Sequence, residues 1–242
     1  MADAEARAPR TRAVPVAQAR AALPRAAQNR TLLTLAGLML LLAVTTACKA
    51  QDRATVGPLT LPATVKAGHW PRQVSETSRW ARPVRVMVPR LKIDAPVTGI
   101  GSGEKGRLEA PPLGETNLVG WDRQSPVPGN PGAAVLVGHL DTKTGPAVFA
   151  RLREVKPGDT LAVVRSDDQV VVYRATATQE AGKADFPVRK VFTSSGAPAI
   201  RLVTCGGRYD HDRGSYDDNL IVYGEHAGTY RAVDLTKGVT RA

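Results

Sequence analysis

The pattern of apolar and polar positions divides the chain into a flank, a body and one conspicuous apolar run. Residues 31–47 carry no charge and are dominated by leucine. A run of this length lies near the short limit for crossing a hydrocarbon core, so it reads as a spanning helix or as the apolar region of a signal peptide. Residues 48–82 mix Pro, Thr, Ala, Gln and charge without sustained periodicity and read as a linker. From residue 83 the character changes to short β-branched runs punctuated by Gly and Pro. These runs predict strands at 84–88, 95–100, 133–137, 160–164, 170–177, 199–204 and 220–223. Seven or more short strands separated by turn signals favour a mainly β barrel or sandwich. The one helix expected is 146–155, where Pro146 opens the first turn and Val148, Phe149, Leu152 and Val155 recur at helical spacing. Between Gly114 and Gly132 the sequence predicts a long turn-rich loop containing Trp121, and another loop occupies 182–187.

Charge refines this division. The chain has 33 basic and 22 acidic residues, a formal +11, which taken alone would suggest an anionic partner such as nucleic acid. Residues 83–242, however, hold 21 basic and 18 acidic groups, so the excess lies in the flanks and no nucleic-acid partner is expected. Six arginines precede the apolar run. The positive-inside rule therefore keeps 1–30 in the cytoplasm, makes 31–47 a membrane anchor or signal segment, and sends 48–82 and the domain 83–242 outside. Cys48 closes the run in a context that faintly resembles a lipoprotein cleavage site, but Thr45 stands where an aliphatic residue is usual. An uncleaved single-pass anchor is the preferred reading over lipidation.

Only one other cysteine exists, Cys205, and an exported domain normally pairs its thiols or dispenses with them. The run 199–204 delivers Cys205 onto Gly206-Gly207, the pattern of a buried strand ending at a backbone opening. His139 follows the run 133–138 in the same way. If those two strands are neighbours, thiol and imidazole converge in one cleft. A thiol with pKa about 8.5 needs such a base to become a nucleophile, and the base then protonates a leaving amine. Asp141, two residues after His139, either orients the imidazole or caps the following turn.

Several segments in order, Gly138-His139-Leu-Asp141-Thr, Gly145-Pro-Ala-Val-Phe149, Leu202-Val-Thr-Cys205-Gly-Gly with Tyr209-Asp210, and Tyr216-Asp-Asp-Asn219-Leu-Ile-Val222, resemble those of sortases, most closely the class F group of Actinobacteria. The resemblance implies an eight-stranded sortase β-barrel with one or two short helices behind the N-terminal membrane helix, and Cys205 and His139 as the catalytic pair. It also implies cleavage of an LPxTG-like sorting signal between Thr and Gly through a Cys205 thioester, with hydrolysis as a side reaction. The acceptor would be a peptidoglycan precursor amine at the outer face of the cell membrane. No metal and no cofactor are implied. One departure stands out: the arginine that sortases place on the strand after the cysteine falls, in this register, on Asn219. Asn219 could donate to an oxyanion without bringing charge, and Arg208 and Arg213 in the intervening loop are the other candidates.

Two rival readings remain at this stage. An exported metal-dependent hydrolase would draw ligands from His139, Asp141, Asp210, His211 and Asp212, although the acidic loop 210–218 misses the calcium-loop spacing and reads as a solvated turn. A non-enzymatic lipoprotein binding domain would leave Cys205 without chemistry.

Overall fold

The computed structural model describes residues 58–67, 69–75, 78–101, 109–193, 195–212 and 214–236. The apolar run 31–47, Cys48 and Arg213 lie outside the described residues, among which no helix is long and apolar enough to cross a membrane. Ten strands form among the described residues: β1 (Pro83–Val88), β2 (Ile93–Ile100), β3 (Val119–Asp122), β4 (Ala133–Gly138), β5 (Asp141–Thr142), β6 (Gly145–Pro146), β7 (Thr160–Arg165), β8 (Gln169–Gly182), β9 (Ala199–Asp210) and β10 (Ser215–Arg231). Eight of them close a barrel in the order β1-β2-β3-β4-β9-β10-β8-β7, and β5 pairs only with β6. The mainly β eight-stranded barrel expected from the sequence is present.

The barrel explains why so many strands read as continuous apolar runs rather than as alternating ones. Inward positions such as Val86, Ala134, Leu136, Leu161, Val163, Tyr173, Ile200, Leu202 and Val222 build the central core. Outward positions are covered as well. On β7 and β8, Ala162, Val164, Val170 and Val172 are buried beneath Leu59, Tyr230 and Leu235, with Trp70 packed against them. Leu59 bridges to Thr236 and Thr64 to Asp159, so part of the stretch read as a linker lies on the barrel wall. On β4, β9 and β10 the outward residues Val135, Val137, Val203, Ile221 and Tyr223 are covered by Phe186, Val191 and Phe192 from the β8–β9 connection. A strand buried on both faces has no reason to alternate.

Three elements differ from the expectation. The segment 146–155 is not an α-helix: Ala150 N bonds Ala147 O, Leu152 N bonds Phe149 O and Val155 N bonds Leu152 O. These are i to i+3 turns ending in the 3-10 helix Leu152–Glu154. The apolar spacing that suggested a helix serves these turns equally, since Phe149 and Leu152 are fully buried. Pro146, expected to start the helix, instead pairs with Asp141 in the β5–β6 hairpin. The only α-helix among the described residues is α1 (Val188–Val191), in the connection over the outer face.

The loop 114–132 contains β3, and Trp121 points into the central core. The remainder of that loop is pinned, with Ser125 Oγ accepting from Val135 N at 3.0 Å and Tyr173 Oη accepting from Gly129 N at 2.8 Å. Fully buried Arg165 donates to Pro128 O at 2.8 Å and to Ser78 O at 2.7 Å while pairing with Asp167. β9 also runs on through Cys205 to Asp210, so the cysteine does not stand at the end of its own strand.

Candidate active site

The position of Cys205 follows from strand register. β4 and β9 are parallel neighbours, paired from Ala133↔Ala199 to Val137↔Val203. The last of these pairs, Val137↔Val203, lies two residues before both His139 and Cys205, so each follows its strand at the same distance from a shared rung. β4 ends at Gly138 whereas β9 continues, so the thiol lies where the sheet loses its neighbour, and there it is half-buried. On the other side β9 pairs antiparallel with β10, and Asn219 is the direct partner of Cys205. Directly opposed residues share a face, with Cβ atoms about 5 Å apart. Val203 and Ile221, two residues along each strand, lie in the outward cluster, so Cys205 and Asn219 point outward too, at the end of the surface covered by Phe186, Val191 and Phe192.

Pairing continues past Cys205 because of Gly207. Between Asp218↔Gly206 and Tyr216↔Tyr209 the register slips by one residue, and Gly207 sits at φ +75. This is a bulge with glycine in the left-handed region. The sequence reading took the Gly-Gly pair as a strand end; the bulge instead bends the β9–β10 ribbon and lets it proceed.

His139 is held by its backbone and its ring. Its carbonyl accepts from Phe149 N at 3.0 Å, tying the residue to a fully buried ring. Its Nε2 lies 2.6 Å from Pro111 O. A carbonyl only accepts, so Nε2 carries the hydrogen and Nδ1 is the basic nitrogen of the neutral ring. Asp141 does not bond the imidazole. Its carboxylate accepts from the Tyr216 hydroxyl, and the turn after it is closed by Thr142, whose Oγ1 accepts from Thr144 N at 3.3 Å.

Electrostatics around the thiol are mixed. Burial pushes the Cys205 thiol up; Lys183 pulls it down and Asp141 pushes it up further. Lys183 was not singled out by the sequence. It follows β8, whose Ala181 is the partner of Asn219, and its own N–H reaches Asp217 O at 3.2 Å. Tyr216, given no role by the sequence, has its hydroxyl pushed up to about 12, chiefly by the bond to Asp141.

Of the charged candidates, Arg208 is exposed on the ribbon beyond the bulge, whereas Asn219 is adjacent to Cys205. The ligand set of the metal-dependent reading is not assembled. No group of three or more His, Cys, Asp or Glu side chains gathers among the described residues, and Asp141 is engaged by Tyr216 while His211 packs edge-on against Tyr209 with centroids 5.0 Å apart.

Solved structures similar to this chain are sortases. Sortase C1 of Streptococcus agalactiae in complex with MTSET is 20% identical, with 61% of this chain and 70% of that one covered at a TM-score of 0.48. Sortase C-1 of Actinomyces oris is 23% identical, with 60% and 74% covered at 0.46, and sortase A of Listeria monocytogenes is 20% identical, with 64% and 92% covered at 0.47. Among curated proteins none matches the chain. The sortase domain family matches residues 86–227, from within β1 to within β10 and with both His139 and Cys205 inside the match, and on that match the chain belongs to the sortase family of cysteine transpeptidases.

Proposed function

We propose that this chain cleaves an LPxTG-like sorting signal between Thr and Gly through a Cys205 thioester and passes the acyl group to a peptidoglycan precursor amine. What supports this reading is the parallel β4–β9 register, whose last pair, Val137↔Val203, lies two residues before both His139 and Cys205. Nδ1 of His139 accepts the Cys205 proton as sulfur attacks the threonine carbonyl carbon. The same proton then goes to the leaving glycine nitrogen as the Thr–Gly bond breaks. An incoming amine attacks the thioester, gives its proton to Nδ1, and sulfur leaves to recover that proton. Asn219, opposite Cys205, supplies an uncharged N–H donor for the oxyanion. Water in place of the amine gives the hydrolytic side reaction.

Within the family, the segments around Thr204-Cys205-Gly206-Gly207 and Tyr216 to Val222 favour class F. The six arginines before the apolar run 31–47 favour a single-pass anchor with the barrel outside the cell.

The test uses an LPxTG-type peptide with hydroxylamine as acceptor. Mass spectrometry should find a hydroxamate at the threonine, abolished by both Cys205→Ala and His139→Ala. Robust product from either variant refutes the assignment.

A further inference from the structure

The His139 loop and the Cys205 strand are separate pieces of backbone, and nothing in the barrel ladder joins them beyond Gly138. The hairpin that follows His139 is short, with only Asp141↔Pro146 and Thr142↔Gly145 paired. Its base is anchored to the core by Phe149 N bonding His139 O and by Ala147 N bonding Leu140 O, at 3.0 Å each. The Cys205 strand, past the Gly207 bulge, pairs with β10 alone through Tyr216↔Tyr209 and Ser215↔Asp210. Among the described residues, a side-chain contact reaches the hairpin from β10, the strand paired with the Cys205 strand: Tyr216 donates its hydroxyl to Oδ2 of Asp141. The Tyr216 ring is itself fixed, edge-on to Tyr209 at 5.1 Å and 72°, with Tyr209 in turn edge-on to His211. Asp141 lies close enough to Cys205 to act on its charge, as does Tyr216, so the contact borders the reacting groups.

From this geometry we infer that Tyr216 is a positioning residue: its phenol, by gripping the Asp141 carboxylate, holds the His139 loop in register with the Cys205 strand. The inference rests on the proposed roles of Cys205 and His139. Tyr216 touches neither substrate nor the transferred proton. Its effect is to fix how far Nδ1 stands from sulfur, a distance to which proton transfer is steeply sensitive.

The test compares Tyr216→Phe, Asp141→Ala, the double variant and Asp141→Asn in the full chain, with the LPxTG-type peptide and hydroxylamine. Tyr216→Phe removes one hydroxyl from a partly exposed ring, so the fold survives. Misplacement of a catalytic group by about 1 Å costs up to about 100-fold. The expected result is a kcat lowered about 10- to 100-fold in Tyr216→Phe and equally in Asp141→Ala, with no further loss in the double variant and KM within about twofold. Asp141→Asn keeps an oxygen that accepts from the phenol and should retain kcat within about threefold. Wild-type kcat in Tyr216→Phe, additive losses in the double variant, or an Asp141→Asn as slow as Asp141→Ala would overturn the proposal. Turnover by Cys205→Ala or His139→Ala would instead defeat the underlying reading, whatever Tyr216→Phe does.

Discussion

Replacing Gly207 by alanine perturbs the bulge that carries the Cys205 strand beyond the barrel, and two separate costs can be read from the structure. Gly207 sits at φ +75, where an L-residue costs about 1–2 kcal/mol. An added Cβ would also stand 2.9 Å from the Asp218 Cβ and 2.5 Å from its Oδ2. The carboxylate can rotate away, but the Cβ is fixed by the strand, so overpacking adds about 1–3 kcal/mol. The total is about 2–5 kcal/mol, and for a domain of this size each kcal/mol lowers Tm by about 2–4 °C. Because the ribbon past Gly206 pairs with little besides itself, part of the cost will appear as local opening. Thermal denaturation and amide exchange of 205–219 are the assays. The Gly207→Ala/Asp218→Ala double variant should still meet the remaining Asp218 Cβ, and should recover only the share due to the carboxylate. A Gly207→Ala chain with unchanged Tm and unchanged exchange in the ribbon would refute the reasoning.

Three further outcomes follow from the site and its supports. Lys183→Met removes the cation that holds the Cys205 thiol down, so the pH profile of iodoacetamide alkylation should move to higher pH; Asp141→Asn should move it lower, and an unchanged midpoint in both would contradict the electrostatic picture. Burial holds the His226 imidazole below its ordinary value of about 6.5, so the unfolded chain binds the extra proton more readily and stability is lost as pH falls from 7 towards 5. Denaturant midpoints at the two pH values should show a smaller loss in His226→Gln. Arg165→Met leaves Pro128 O, Ser78 O and Asp167 without their buried donor and should cost about 3–5 kcal/mol; a denaturant midpoint equal to wild type would show that the pinning of the 123–132 loop is immaterial.

The sequence carried the barrel where apolar runs were long and bounded, as at 160–164 and 199–204, because burial on both faces leaves a continuous signal. It failed at β3, whose four residues Val119-Gly-Trp-Asp interrupt a Pro- and Gly-rich stretch and resemble the loop around them. It failed again at 146–155, since a spacing of three and four residues serves consecutive 3-10 turns as well as an α-helix. The apolar runs before His139 and Cys205 were legible as strands, and those strands are parallel neighbours. Asn219 drew notice only as the position where the sortase arginine falls; its pairing with Cys205 is given by the β9–β10 register. Tyr216 and Lys183 were not legible: both are polar residues in turn-rich segments, and the Tyr216 partner is 75 residues away in the chain. The continuation of β9 was hidden by Gly206-Gly207, which in sequence reads as a stop and in three dimensions is a bulge.

The most direct test of the central claim is to catch the covalent species. Brief incubation of the chain with an LPxTG-type peptide followed by acid quenching and intact-mass analysis should show the enzyme heavier by the acyl fragment ending in threonine. Peptide mapping should place that fragment on Cys205, and hydroxylamine should remove it. His139→Ala should accumulate no adduct on the same timescale. An acyl fragment on another residue, or sustained peptide cleavage by Cys205→Ala, would contradict the account.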